Sequence, residues 1–190
     1  MSMDSRVART RTSLQHALLD LALERPLDDI TIGSITERAG VNRSSFYQHY
    51  SDKETLLADA LDTIEALAGA RVPEFTGPLP TLAPSDLVSY LRHFETHAVL
   101  YRRVLLEGGS SVAAGRIRSR LELAAREGIL TSGSTAFEGI PLEVVGAGIA
   151  GSALAVIENW LARDPLPPVE VAASWVWRVL IGPGQLQLND

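Results

Sequence analysis

The sequence predicts an all-α fold, and three observations carry that prediction. Apolar residues recur at intervals of three, four and seven. No segment sustains the period-two alternation of a half-buried strand. Gly, Pro and capping residues divide the chain into about nine runs of helical length. With 190 residues, 46% hydrophobic and 21% charged, the chain has enough apolar side chains for a compact core. No stretch approaches the roughly 18 uninterrupted apolar residues of a membrane span, so no membrane partner is expected. The arginines of the N-terminal segment have no apolar run behind them and do not read as a secretory signal. Absence of Cys removes disulfides and thiolate metal ligands, which fits a cytoplasmic location.

Taken in order, Val7, Leu14, Leu18 and Leu21 share one face of a first helix that ends at Arg25-Pro26. Thr31 is placed to cap a two-turn helix containing Ile32, Ile35 and Ala39, and Gly40 supplies the left-handed residue that stops it. Asn42 is placed to cap a third helix, NRSSFYQHY. Ser51-Asp52-Lys53-Glu54 has the form of a capping box opening a fourth that runs to about Ala70. The segment RVPEFTGPLPTLAP, with four prolines, predicts a loop and a boundary near 72–84. Beyond it, Ser85 caps a run to about His97, a second run ends at Gly108-Gly109, and a third spans about Ser111 to Glu127. After the loop LTSGSTAFEG, Pro141 opens a helix to about Arg163. DPLPP then separates this from a last helix of about 169–181. The expected organisation is a small helical domain at 1–52, a connecting helix at 53–71 and a larger helical domain at 85–190.

Val144-Val145-Gly146-Ala147-Gly148-Ile149-Ala150-Gly151 matches the G-x-G-x-x-G pattern of dinucleotide-binding loops. Such a fold needs a strand before the glycines and a second strand ending in an acidic residue after the following helix. Only 39 residues follow Gly151, and they hold no such strand. The expectation is therefore a helix with a face of small residues, which lets another helix approach closely. No cofactor and no enzymatic activity are expected, and a nucleotide-dependent oxidoreductase remains a distant alternative.

The two short helices around Ala39-Gly40-Val41 have helix-turn-helix form. Ile32, Ile35, Val41, Phe46 and Tyr50 can make its core, leaving Arg43, Ser44, Tyr47 and Gln48 outward. That set suits duplex DNA. Arg pairs with O6 and N7 of guanine, Gln pairs with adenine, and hydroxyls take phosphates or base edges. Asn42 adds a helix N-terminus aimed at phosphate. The net charge of −6 argues against nonspecific attraction to nucleic acid, but the signs are segregated along the chain. Arg6, Arg9, Arg11, Arg43 and Lys53 stand apart from Asp20, Glu24, Asp28 and Asp29.

Thr31, Ile35, Ala39-Gly40-Val41, Phe46-Tyr47, His49-Tyr50, Lys53-Glu54 and Leu56-Leu57 fall in an order and spacing far more specific than a generic helix-turn-helix. On these residues, positions 6 to about 60 resemble the DNA-binding domain of the TetR family of transcriptional regulators. Two departures are visible: Gly33 stands where family members carry a DNA-contacting side chain, and Arg25-Pro26 stands where a Gly is common. The resemblance implies that Arg43, Ser44, Ser45 and Tyr47 read or position the major groove, while Thr31, His49 and Lys53 contact phosphate. Other readings stay open: an exposed charge for Lys53, a partly buried ring for Tyr47, a helix-end interaction for His49, and solvated charge for Arg6, Arg9 and Arg11.

The resemblance further implies a homodimer through the last two helices, about 141–163 and 169–181, and a palindromic operator. Trp160, Trp175, Val176, Val179 and Leu180 with the small-residue face permit that interface. Trp175 and Trp177 lie about 200° apart on a helix, so one is expected toward the partner and the other toward the core. A pocket for a small apolar effector is implied between about 85 and 160, with Tyr90, His93, Phe94, His97, Tyr101 and Trp160 as candidate lining. His93 and His97, four apart, could share a metal, but without Cys or an evident third ligand no metal site is expected. The expected function is a ligand-released repressor. The alternative of another class is a helical interaction module that has lost DNA binding.

Overall fold

The computed structural model describes residues 3–69, 72, 80–107, 110–132, 135 and 137–182, with side chains from residue 6 onward. The described residues form nine α-helices and one 3-10 turn, with no strand among them. They are α1 (Met3–Glu24), α2 (Ile32–Ala39), α3 (Arg43–His49), α4 (Lys53–Leu67), α5 (Ser85–Thr96), α6 (Ala98–Leu105), α7 (Ser111–Ser132), α8 (Leu142–Leu161) and α9 (Val169–Ile181). The chain divides into two compact units, Met1–Ala68 with Val99–Gly115, and Gly69–Ala98 with Arg116–Asp190. α4 thus belongs to the first unit, as does most of α6, a segment that the sequence places within the larger domain.

In the first unit, Leu14, Leu18 and Leu21 of α1, Ile35 of α2, Phe46 of α3, and Leu56, Leu57 and Leu61 of α4 are buried. Burying an aliphatic or aromatic side chain of this size contributes about 1.5–3 kcal/mol, which short helices need because two turns are marginal alone. Ile32 and Val41 are half-buried at the edge of this core. From α6, Leu100, Tyr101 and Val104 are buried. Arg103 Nη1 donates to the carbonyls of Ala22 and, at 2.7 Å, Arg25. A cation there satisfies carbonyls that the end of α1 leaves without helical partners.

Local signals set most boundaries. Thr31 Oγ1 accepts from Ser34 N at 3.1 Å, and Ser34 Oγ accepts in turn from Thr31 N at 3.1 Å. Asn42 Oδ1 accepts from Ser45 N at 2.8 Å. At α4 the cap is Asp52, not Ser51: Asp52 Oδ1 accepts from Thr55 N at 2.7 Å, while Ser51 Oγ donates to Asp52 Oδ2. A carboxylate favours a helix N-terminus more strongly than a hydroxyl does. α4 ends at Leu67, short of the expected Ala70, because Gly69 at φ 62 turns the chain. Ser85 lies inside α5 with Pro84 as its N-terminal neighbour, so Ser85 is not the cap. Ser110 Oγ accepts from Ala113 N at 3.1 Å and opens α7, which continues to Ser132, past the expected Glu127. Gly108, Gly109 and parts of the loops expected near 72–84 and 130–139 lie outside the described residues.

The second unit is built on α5, α8 and α9 with the larger part of α7. Leu91 and Phe94 of α5, Leu154, Ile157 and Leu161 of α8, and Ala173 and Val176 of α9 are buried. By length and composition α8 could cross a membrane; here its Leu154 and Trp160 side packs in the unit's core. Trp160, expected at a partner surface, is fully buried, and its Nε1 donates to the Pro167 carbonyl at 2.8 Å. Val176 is likewise core. The two tryptophans of α9 diverge as expected: Trp177 is buried and donates to the Pro80 carbonyl, while half-buried Trp175 lies under Arg163.

The glycine pattern lies inside α8, with no strand before it among the described residues, which removes the basis for a nucleotide-binding loop. Only Gly146 meets a neighbouring helix: a Cβ there would stand 2.6 Å from Arg126 Cγ, whereas Gly148 and Gly151 face open space. Gly40 differs, because its φ of 66° is the constraint and a Cβ would meet nothing within 4 Å. Gly40→Ala is therefore expected to destabilise the first unit by about 1–2 kcal/mol through backbone strain alone. A urea-denaturation midpoint unchanged from wild type would overturn this.

Candidate nucleic-acid interface

α3 is only seven residues long, and its two sides are chemically distinct. Phe46 and Tyr50 pack inward, their ring centroids 6.0 Å apart. Asn42, Arg43, Ser44, Tyr47 and Gln48 are exposed, while Ser45 and His49 are half-buried. Arg43, Ser44, Tyr47 and Gln48 therefore form one outward face by i, i+3 and i+4 spacing, as the sequence predicts. The Tyr47 ring, 52% exposed, stands edge-on to Phe46. The Arg43 guanidinium lies 5.9 Å from the Tyr47 ring centroid, so the face presents a cation braced by an aromatic ring.

The polar residues around this face are partly committed to shaping it. Asn42 Oδ1 accepts from both Ser45 N and Ser44 Oγ. Thr31 closes its capping box with Ser34. Lys53 Nζ donates to the carbonyls of Leu27 at 2.6 Å and Ile30 at 3.1 Å, so its ammonium secures the turn that leads into α2. Arg11, one of the three N-terminal arginines, is drawn onto the protein surface, whereas Arg6 and Arg9 remain exposed.

Beneath α3 lies a polar knot that sequence spacing does not reveal. Asp59 Oδ2 on α4 accepts from Tyr50 Oη at 2.5 Å, Gln15 Nε2 at 2.7 Å and Arg11 Nη2 at 2.8 Å. Arg11 Nε also donates to Tyr50 Oη, and Gln15 Nε2 to Thr63 Oγ1. One carboxylate oxygen thus joins α1, α4 and the residue that ends α3. Burial acts to raise the Asp59 carboxyl, but donation from Arg11, Tyr50 and Gln15 outweighs it and holds the group below the usual carboxylate range. The phenol of Tyr50 is raised, first by burial and then by its bond to Asp59. The bond to Asp59, with Tyr50 behind it, raises Arg11 further. At the far end of α1, Glu24 and Arg38 form two bonds of 2.9 Å that bind α2 to α1, and Arg38 holds Glu24 below its ordinary value.

The second unit contains a cavity of about 150 Å³ lined from α5, α7, α8 and α9. Of the six residues expected to line an effector pocket, Tyr90 alone does so. His93 and Phe94 are in the α5 core, His97 is half-buried, Trp160 is held by Pro167, and Tyr101 is buried in the first unit. The physical reason is that large rings fill space. The opening exists where α7 and α8 carry small residues, Ala124, Ala125, Gly128, Ala150 and Ala153. His93 is pushed down to about 4 by burial, then by His97 and Arg120, so it is neutral near pH 7. Among the described residues no cluster of three or more His, Cys, Asp or Glu is placed to hold a metal.

A capped turn between two short helices, with a polar and cationic face on the second, defines a helix-turn-helix domain of the DNA-binding class. Residues 15–60 match the family model of bacterial regulatory proteins of the tetR family. Over 56 residues the chain is 48% identical to the uncharacterized HTH-type transcriptional regulator YxbF of Bacillus subtilis (strain 168), covering 29% of this chain and 15% of that relative's length. The fold resembles that of a TetR transcriptional regulator from Streptococcus agalactiae 2603V, with a TM-score of 0.66, 23% identity and coverage of 93% of this chain and 96% of that one. It also resembles the dihydroxyacetone kinase operon activator DhaS, at a TM-score of 0.61, 14% identity and coverage of 94% and 97%. The family likeness thus lies in residues 15–60, and the solved structures extend a likeness of fold over nearly the whole chain.

The Asp59 knot yields a pH dependence. Because its carboxyl is held low in the folded chain, its contribution is fully present above the unfolded value of about 4 and is lost as pH falls through the folded value. Asp59→Asn is expected to cost about 1–2 kcal/mol near pH 7 and to make stability decline less steeply below about pH 4. Urea midpoints of both chains across that range check it; parallel declines would show that the carboxylate carries no such linkage.

Proposed function

We propose that this regulator is a ligand-released repressor that binds a palindromic operator in double-stranded DNA as a homodimer in the cytoplasm. The carrying observation is the exposed face of Arg43, Ser44, Tyr47 and Gln48 on a capped, firmly seated α3. In this reading Arg43 and Gln48 contact base edges, with Ser44, Ser45 and Tyr47 positioning them. The N-terminus of α3 at Asn42, with Thr31 and His49, meets phosphate. Lys53, with two protons already donated to carbonyls, adds one positive charge near the backbone rather than base readout.

Two features support the dimer. Val144, Ala147, Gly148, Ser152 and Ala155 are exposed along one face of α8, and Val171 and Val179 are exposed on α9. Such a face suits close packing against its own copy, and a two-fold protein brings two recognition helices to successive major grooves about 34 Å apart. The cavity of the second unit supports the effector. Release follows if the occupied cavity belongs to a conformer whose recognition helices are wrongly spaced, so that the effector binds the DNA-incompetent state more tightly.

Selection of bound duplexes from a random pool at about physiological salt tests the specificity and the two-fold symmetry of this reading together. A palindromic site is expected, and failure to enrich any sequence would favour an interaction module that has lost DNA binding. On the selected site, Arg43→Ala is expected to weaken binding by about 1–3 kcal/mol and to relax one position; uniform weakening across sequences would reassign Arg43 to phosphate. Lys53→Met is expected to flatten the dependence of log affinity on log salt by about one unit, and an unchanged slope would remove Lys53 from the interface.

A further inference from the structure

We infer that the cavity of the second unit takes an uncharged, apolar molecule of single-ring size and excludes its carboxylate and ammonium counterparts. This deepens the reading of that unit as the effector-binding one and rests on it. The lining contains no Asp, Glu, Lys, Arg or His. A charge brought into it would lose its water and gain no counter-ion, which is the costliest form of burial. The nearby pair Glu122 and Arg126 lies against Gly146, outside the lining, with its charges 3.9 Å apart.

The wall's polar groups are few and two are already engaged. Ser132 Oγ donates to the Ile129 carbonyl at 2.9 Å, and Trp177 Nε1 donates to the Pro80 carbonyl at 2.8 Å. Neither donor is left over to orient an anion. A space of about 150 Å³ is on the scale that holds a single benzene ring. Tyr90, Phe137 and Trp177 contribute ring surfaces to the lining, which favour an aromatic guest by offset or edge-on packing. Size, lack of charge and ring surface therefore agree on one ligand class.

Toluene, benzoate and benzylamine, titrated separately into the full chain without DNA, test this by calorimetry and by tryptophan emission, with Trp177→Phe assigning the optical signal. Toluene is expected to bind saturably at one site, and the two charged compounds at least about a hundredfold more weakly. Ala153→Leu, which fills the space, is expected to reduce toluene affinity at least about tenfold while helical content is retained. Ala125→Leu serves the same purpose should the first variant fail to fold. Benzoate or benzylamine binding as tightly as toluene, absence of saturable toluene binding, or indifference to both filling variants would overturn the inference. Operator affinity measured in parallel separates the two readings. Toluene binding that leaves operator affinity unchanged would refute ligand release and keep the cavity assignment. Operator release by the charged compounds alone would do the reverse.

Discussion

The seating of α3 depends on what lies under it. Seven residues give α3 too few internal hydrogen bonds to persist alone, so its orientation is set by Phe46 in the core and by Tyr50 at its end. Tyr50 uses both parts of its side chain. Its ring packs against Phe46, and its hydroxyl is held by an Asp59 oxygen that also receives Arg11 and Gln15. Buried polar groups are tolerable when each is paired, and here the pairing joins three helices at one atom. The outward side chains of α3 are consequently presented from a fixed base, and a displacement of α4 relative to α1 would strain the same bonds that seat α3.

Charge is arranged with similar economy. For a chain of net charge −6 to bind DNA as proposed, the local field must differ from the global one. Arg38 engages Glu24 at the far end of α1, Arg103 covers carbonyls there, and Arg43 stays exposed. Arg11 and Lys53, like Arg38 and Arg103, spend donors on internal acceptors, so Arg43 is the one of these with the opposite allocation. Cationic residues in such a domain thus divide between building the scaffold and meeting the ligand, and only contacts reveal which is which.

That division explains what was legible in the sequence. Caps and turns are local: Thr31, Gly40 and Asn42 announce α2 and α3 because their effect is confined to a few residues. The outward face of α3 was legible too, since helical period alone separates Phe46 and Tyr50 from Arg43 and Tyr47. The Asp59 knot was not, because residues 11, 15, 50 and 59 meet only once α1 and α4 are packed. The cavity is illegible in the sequence for a different reason. Searching for aromatic and His residues finds atoms that fill space, whereas a pocket is made where small residues leave space. From the sequence, the small residues of α8 read as a face for another helix. The structure divides them: Ala150 and Ala153 open the cavity, Gly146 admits Arg126, and Gly148 and Gly151 face outward.

The fold by itself does not dictate the sign of the proposed regulation. What dictates it is thermodynamic: an effector shifts the chain only by its difference in affinity between DNA-competent and DNA-incompetent states. An apolar cavity without charged groups offers few directional contacts by which to discriminate such states. Discrimination must then come from volume and packing, because tightly packed walls tolerate an added methylene poorly and an occupied slot cannot close. A conformer in which α7 and α8 approach across their small residues would expel the guest, and one in which they stay apart would retain it. Release of DNA thus requires that the open arrangement be the one with misplaced recognition helices; were the closed arrangement misplaced instead, the same guest would strengthen DNA binding through the same residues.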